Sequence, residues 1–222
     1  MNLIITPVYK AFKELRRCCE AIDKGADQPF FHILVDDNSG EKLPISPTEN
    51  RIIISLDNDV DPSQHEMQMG KVMDLAFDYA LNNIEFDNFF HIESDVTMFP
   101  HFDTDMIEIT KTLPENWGTI DILSVNEDGG TTYPCTVHHR IASISEEELL
   151  DELEFPDFQC TLFSPSVLER YKKRELRYTD YPSHWDILTG RHLLELGYRH
   201  FRTRKVKAYH PGGASRDALP KR

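Results

Sequence analysis

Phe89-Phe90-His91-Ile92-Glu93-Ser94-Asp95 runs from four largely apolar residues straight into two carboxylates one residue apart. The apolar part reads as a buried strand. In an extended segment residues i and i+2 face the same way, so Glu93 and Asp95 can turn toward one divalent cation or its waters. With 38 acids in 222 residues an acid-x-acid triplet also arises by chance, so its surroundings carry the reading.

Upstream, the pattern of an apolar run ending in carboxylates recurs. Leu3-Ile4-Ile5 is a short buried strand stopped by Thr6-Pro7. From Ala11 to Ala26, Phe12, Leu15, Cys18, Cys19 and Ile22 recur at helical spacing, with Gly25 near the expected stop. Phe30 to Val35 is a second apolar run and ends in Asp36-Asp37-Asn38-Ser39-Gly40; Arg51 to Leu56 is a third and ends in Asp57-Asn58-Asp59. Glu66 to Asn82 carries Met69, Val72, Met73, Ala76, Phe77 and Ala80 on one stripe, an amphipathic helix before the Phe89 strand. The order β-α-β-β-α-β predicts an α/β protein with a mostly parallel central sheet flanked by helices, which binds ligands at the carboxyl ends of its strands. The acidic clusters sit at those ends.

Downstream, the pattern predicts a helix from Phe102 to Leu113 and strands from Thr119 to Val125 and from Val137 to Ile144. The acidic segment from Ser145 to Glu154 opens with Ser-x-x-Glu at Ser145 and Glu148, which suits a helix N-terminus. A strand from Phe158 to Phe163 follows, then a helix from Ser164 to Lys173 with Pro165 in its first turn. Tyr178 to Leu196 holds a turn and a helix closed by Gly197, and Phe201 to Tyr209 is a last strand. No repeat or linker divides the chain, so residues 1–222 are expected to form a single domain with a basic C-terminal tail from about residue 211.

Composition sets the outer limits. Apolar residues make up 40% and charged residues 28%, which excludes collagen-like and low-complexity chains. Net charge is −14 and the sequence pI about 5.1, which opposes non-specific attraction to duplex DNA or anionic membranes. Basic residues concentrate between Arg191 and Arg222. Cys18, Cys19, Cys135 and Cys160 form no C-x-x-C pair and read as reduced, buried thiols. The opening MNLIITPVYK has no basic start and long apolar core, and no run approaches the roughly 18 apolar residues of a membrane span. A cytoplasmic protein is the expectation.

Each remaining candidate has a structural and a functional reading. The Asp36-Asp37-Asn38-Ser39 tetrad can close a turn through Asx hydrogen bonds, or hold the base or ribose of a nucleotide. His210, in Tyr209-His210-Pro211-Gly212-Gly213, can be a core imidazole or a metal ligand. Asp186, in His184-Trp185-Asp186-Ile187, falls near a helix start, where a carboxylate ordinarily stabilises the dipole.

In order along the chain, these pieces resemble the family 2 glycosyltransferases of the GT-A fold. Ile4-Ile5-Thr6-Pro7-Val8-Tyr9 is similar to the family's opening strand and nucleotide-binding turn, and Val35-Asp36-Asp37-Asn38-Ser39 to its V-D-D-x-S element. Gly70-Lys71 and the Ala76 to Ala80 stretch resemble the helix leading to the metal motif, and Ile92-Glu93-Ser94-Asp95-Val96 stands where the family has D-x-D. Trp185-Asp186 followed by Leu194-Glu195-Leu196-Gly197-Tyr198-Arg199 resembles its E-D, helix, A-G-Y-R run. Thirteen residues beyond Gly197, His210 precedes Gly212-Gly213-Ala214-Ser215 as the family's late metal-binding His precedes G-G-A-S. The chain departs from the pattern at Glu93, at Trp185 in place of an acid, and at Leu188 in place of a second Asp; Asn126 to Phe158 matches no family element.

The resemblance implies metal-dependent transfer of a sugar, with inversion, from a nucleoside diphosphate sugar (UDP- or GDP-sugar) to an acceptor hydroxyl. Thr6, Pro7, Tyr9, Asp36, Asp37, Lys71, Glu93 and Ser94 would line the donor site, Asp95 and His210 would hold Mn²⁺ or Mg²⁺, and Asp186 would be the general base. The acceptor could be a glycan, a lipid-linked sugar, a protein or a modified nucleobase. Two other readings share the donor pocket. One is a catalytically inactive nucleotide-sugar-binding protein, which the loss of the acid at Trp185 favours. The other is a sugar nucleotidyltransferase, which would want a glycine-rich loop where Thr6-Pro7-Val8-Tyr9-Lys10 has no glycine.

Overall fold

The computed structural model describes residues 1–37, 39–55, 69–126, 141–145, 149–154, 156, 158–177 and 185–211; for residues 69, 141–145, 185 and 186 it describes the backbone alone. The elements in chain order are β1 (Asn2–Val8), α1 (Phe12–Gly25), β2 (Phe30–Asp36), β3 (Arg51–Ser55), α2 (Met69–Asn83), β4 (Asn88–Ile92), β5 (Thr97–Met98) and α3 (Phe102–Thr110). They continue with β6 (Trp117–Val125), β7 (Ile141–Ser145), β8 (Leu150–Leu153), β9 (Cys160–Phe163), α4 (Pro165–Lys172), α5 (Trp185–Glu195) and β10 (Arg199–Tyr209).

The described strands form one sheet in the order β3-β2-β1-β4-β9-β6-β10-β8-β7, with β5 paired to β10. The first four run parallel, as the alternation of strands and helices predicts. From β4 onward the sheet is mixed: β9 lies antiparallel between β4 and β6, while β10 runs parallel to β6 and antiparallel to β8 and β5. Strands β1, β2 and β4 are buried on both sides because helices cover both faces. Leu3, Ile5, Phe89 and Phe163 pack with Val72, Met73, Ala76 and Phe77 of α2 and Val167, Leu168 and Tyr171 of α4. Ile4, Phe90, Ile92 and Leu162 pack with Cys18 and Ile22 of α1 and Phe102 and Met106 of α3 on the other face. Burial at roughly 25 cal/mol per Å² of apolar surface makes these two layers the main source of stability.

Local sequence explains most boundaries. Ser164 caps α4, its hydroxyl accepting from the Val167 amide at 3.2 Å, with Pro165 as the first helical residue. Gly197 adopts φ +88° just past α5, and the Gly197 and Tyr198 amides donate to Leu194 and Leu193 carbonyls at 2.9 Å.

One expectation is overturned. The stretch after Ser-x-x-Glu is not helical: Ser145 ends β7, residues 146–148 lie outside the described residues, and Leu150–Leu153 is a strand paired with β7 on one side and β10 on the other. Leu149 turns the chain with φ +55°. The ladder hydrogen bonds on two sides of Leu150–Leu153 outweigh a capping signal confined to one turn. Two partial matches also need correction at their ends: the strand placed at Val137 to Ile144 is β7, with 137–140 outside the described residues, and α3 stops at Thr110; the two-residue β5 was not predicted, having no periodic signal. Cys18, Cys19 and Cys160 are free and buried, while Cys135 lies outside the described residues.

Candidate functional site

Two loops at the carboxyl ends of β1 and β2 form one rim of the site. Beyond β1, Tyr9 is half-buried and Lys10 takes φ +56°, so the chain turns sharply away from the strand. The Lys10 amide donates to Ser39 Oγ at 3.2 Å, and the Asp37 amide donates to the Val8 carbonyl at 2.9 Å, which ties the two loops together. Asp36 Oδ1 accepts from the Ser39 amide at 3.1 Å, so the Asp36 carboxylate ties the loop back to the end of β2. Asp36, Asp37 and Ser39 are all buried. Asn38 lies outside the described residues.

Thr6 and Pro7 sit one step deeper than the sequence suggests, with no exposed side chain. Thr6 Oγ1 is 2.9 Å from His32 Nε2, Arg51 Nε donates to His32 Nδ1 at 3.0 Å, and Arg51 Nη2 pairs with Asp23 at 2.7 Å. Because a guanidinium only donates, His32 Nδ1 must accept and Nε2 carries the proton given to Thr6. Burial, reinforced by the Arg51 charge, pushes the His32 pKa well below that of a free imidazole. This Asp23-Arg51-His32-Thr6 chain fixes α1, β3, β2 and β1 beneath the rim. Hydropathy gave no sign of it, since Arg51 and His32 occupy positions that read as strand.

The other rim is the Glu93–Val96 turn, closed by the Val96 amide donating to the Glu93 carbonyl at 3.1 Å. The Tyr209↔Thr97 and Ala208↔Met98 pairing of β10 with β5 brings His210 beside that turn. One ligand atom from each of Glu93, Asp95 and His210 falls within 4.8 Å of the others, and His210 Nε2 lies 3.4 Å from Asp95 Oδ1. Asp95 and His210 are buried and Glu93 half-buried. Backbone bonds hold two of the three in place: the Glu93 amide donates to the Gln159 carbonyl and the His210 amide to the Val125 carbonyl, both at 2.9 Å. Cys18 Sγ donates to the Glu93 carbonyl at 3.6 Å, and burial keeps that thiol protonated. Two carboxylates and one imidazole, converging on a point, fit Mg²⁺ or Mn²⁺.

The remaining candidates are placed more simply. Ser94 is buried within the same turn. Lys71 is exposed in the first turn of α2. Asp186 falls in the first turn of α5 directly after Trp185, as the sequence predicts. Gly212 to Ser215 and the basic tail lie outside the described residues. The sequence did not single out Gln159 or Ser124; a buried Gln directly before an apolar strand is the one trace it leaves.

No protein-family model matches this chain, and no curated protein matches it. Solved structures do. GalNAc-T7 with UDP, GalNAc and Mn²⁺ superposes with a TM-score of 0.62 at 9% identity, over 95% of this chain and 43% of that one. S. aureus TarS 1–349 in complex with UDP-GlcNAc gives 0.61 at 15% identity, over 99% of this chain and 61% of that one. The fold is that of the GT-A glycosyltransferases. S. aureus TarS 1–349 alone gives 0.60 at 16% identity, over 94% of this chain and 60% of that one. This chain therefore spans well under two thirds of the length of each of these GT-A structures. In this GT-A fold no helix among the described residues is long and apolar enough to cross a membrane.

Proposed function

We propose that residues 1–222 form one metal-dependent, inverting glycosyltransferase unit that takes its sugar from a nucleoside diphosphate sugar. The observation that carries the reading is the convergence of Glu93, Asp95 and His210 at the carboxyl ends of the strands of a GT-A sheet. Binding of UDP by solved neighbours, one of them with Mn²⁺, supports a UDP-sugar donor over a GDP-sugar.

Asp95 and His210 would hold the cation, with Glu93 facing it directly or through water. When bound, the cation offsets negative charge on the departing diphosphate. Asp37 and the half-buried Tyr9 would receive the nucleoside, while Asp36, whose carboxylate accepts from the Ser39 amide, would shape the loop that presents them. Asp186 would act as the base. Its carboxylate takes the acceptor hydroxyl proton, the hydroxyl oxygen bonds to the anomeric carbon, and the bond to the diphosphate breaks with its electron pair. A single displacement of this kind needs one carboxylate and no covalent intermediate. The acceptor stays at the level of a hydroxyl.

Titrating UDP into the protein with and without Mn²⁺, then measuring Mn²⁺-dependent hydrolysis of UDP-sugars, tests the reading. Tight binding that needs Mn²⁺, together with turnover, supports it. Binding without turnover would favour the inactive sugar-nucleotide-binding protein, which Trp185 and Leu188 recommend.

A further inference from the structure

We propose that the side-chain amide of Gln159 contacts the sugar of the donor, an assignment that rests on the donor-binding reading above. Gln159 directly precedes β9 and is tied to Glu93 at the end of β4 and to β6, the sheet neighbour of the β10 strand that delivers His210. Its carbonyl accepts from the Glu93 amide at 2.9 Å. Its side-chain oxygen accepts from the Ser124 hydroxyl, and the carbonyl of the next residue, Val125, accepts from the His210 amide at 2.9 Å. Gln159 thus lies between Glu93 and His210, with its side chain gripped at one end.

The other end is open. Gln159 is only 6% exposed, yet among the described residues its amide nitrogen has no hydrogen-bond partner and is not sealed from solvent. Side-chain polar atoms buried to this degree ordinarily have a partner in the protein or in water, and a structural tie between β6 and β9 would use only the end that Ser124 already takes. The carboxamide is fixed by Ser124, so binding a ligand would freeze little further side-chain freedom.

The chemistry of the group selects its ligand. The diphosphate is the natural partner of a cation, whereas the neutral amide of the residue hydrogen-bonded to Glu93 through its backbone matches a neutral oxygen. A sugar hydroxyl both donates and accepts, so it suits whichever end of the carboxamide faces it. Among donor fragments, the sugar supplies such oxygens next to the metal-bound diphosphate.

The test compares Gln159→Leu with the wild type by calorimetric titration in Mn²⁺, using UDP and then UDP-GlcNAc, UDP-GalNAc and UDP-glucose. One hydrogen bond to a neutral group corresponds to roughly a 3- to 10-fold change in affinity. The expected result is a loss of that size for the UDP-sugar the wild type binds most tightly, with UDP affinity unchanged. An equal loss for UDP would place the amide on the nucleoside diphosphate part, and no loss for either would leave it a tie between strands; both overturn the assignment. A wild type that fails to bind UDP in Mn²⁺ would instead overturn the donor-binding reading itself. If Gln159→Leu does not fold, Gln159→Asn, which withdraws the same amide by one methylene, is read by the same outcomes.

Discussion

His210 Nε2 stands 3.4 Å from Asp95 Oδ1, although the two residues leave different strands and the rest of the sheet's second half lies between them in sequence. An imidazole and a carboxylate at this separation, both buried, are already close to the spacing that a shared cation demands. Asp95→Ala and His210→Ala should each weaken Mn²⁺-dependent UDP binding at least about tenfold, since even residues that only support ligands cost roughly 10- to 100-fold when lost. Titration of UDP at fixed Mn²⁺ reads this, and wild-type affinity in both variants would sink the metal assignment.

The two adjacent carboxylates of the first rim should separate in their effects. Asp36→Ala removes the acceptor for the Ser39 amide and should lower stability by about 1 kcal/mol in urea unfolding. Asp37→Ala should leave stability closer to wild type and weaken UDP binding more. The reverse ordering would exchange their roles.

Asp186→Asn keeps the size of the side chain and removes its basicity. Donor binding should be retained while transfer falls by about 10² to 10⁴. Near-wild-type transfer would mean that Asp186 serves only the start of α5.

Stability should fall on mild acidification. Burial holds His91 at a pKa of about 3 and His200 at about 4, and keeps His32 well below its ordinary value. The unfolded chain protonates these residues near pH 6.5, and the folded one does not until far lower. The unfolded state therefore binds more protons between about pH 6.5 and 4, and each histidine lowers stability there by up to about 1.4 kcal/mol per pH unit. Above about pH 6.5 their contribution is flat. Urea unfolding at pH 7, 6 and 5 checks the slope; a flat profile would contradict it.

The sheet's first half was legible because each strand there announces itself twice, by an apolar run and by the helix that must cover it. β8 was not, because its evidence lies in partners far along the chain: Leu150 pairs with Thr203 and Ser145, while the local Ser145–Glu148 pattern points to a helix. The site divides in the same way. Asp95 and His210 were linked only through the family resemblance, and the structure brings them together. Thr6 read as a rim residue but lies beneath the rim, because its hydroxyl partners His32 on the neighbouring strand. Gln159 was not singled out, since its position against Glu93 and Ser124 is set by contacts far apart in sequence.

The pairing of β5 with β10 also sets a timetable for the protein's birth. The parallel strands β1 to β4 are made early and can dock on their helices while synthesis continues, but the third cation-facing group arrives only at residue 210. A nascent chain on the ribosome thus has Asp36, Asp37 and Ser39 in place long before Glu93, Asp95 and His210 can converge. On the proposed reading, metal capture would signal that the last strand has seated, and an incomplete chain would be silent by construction.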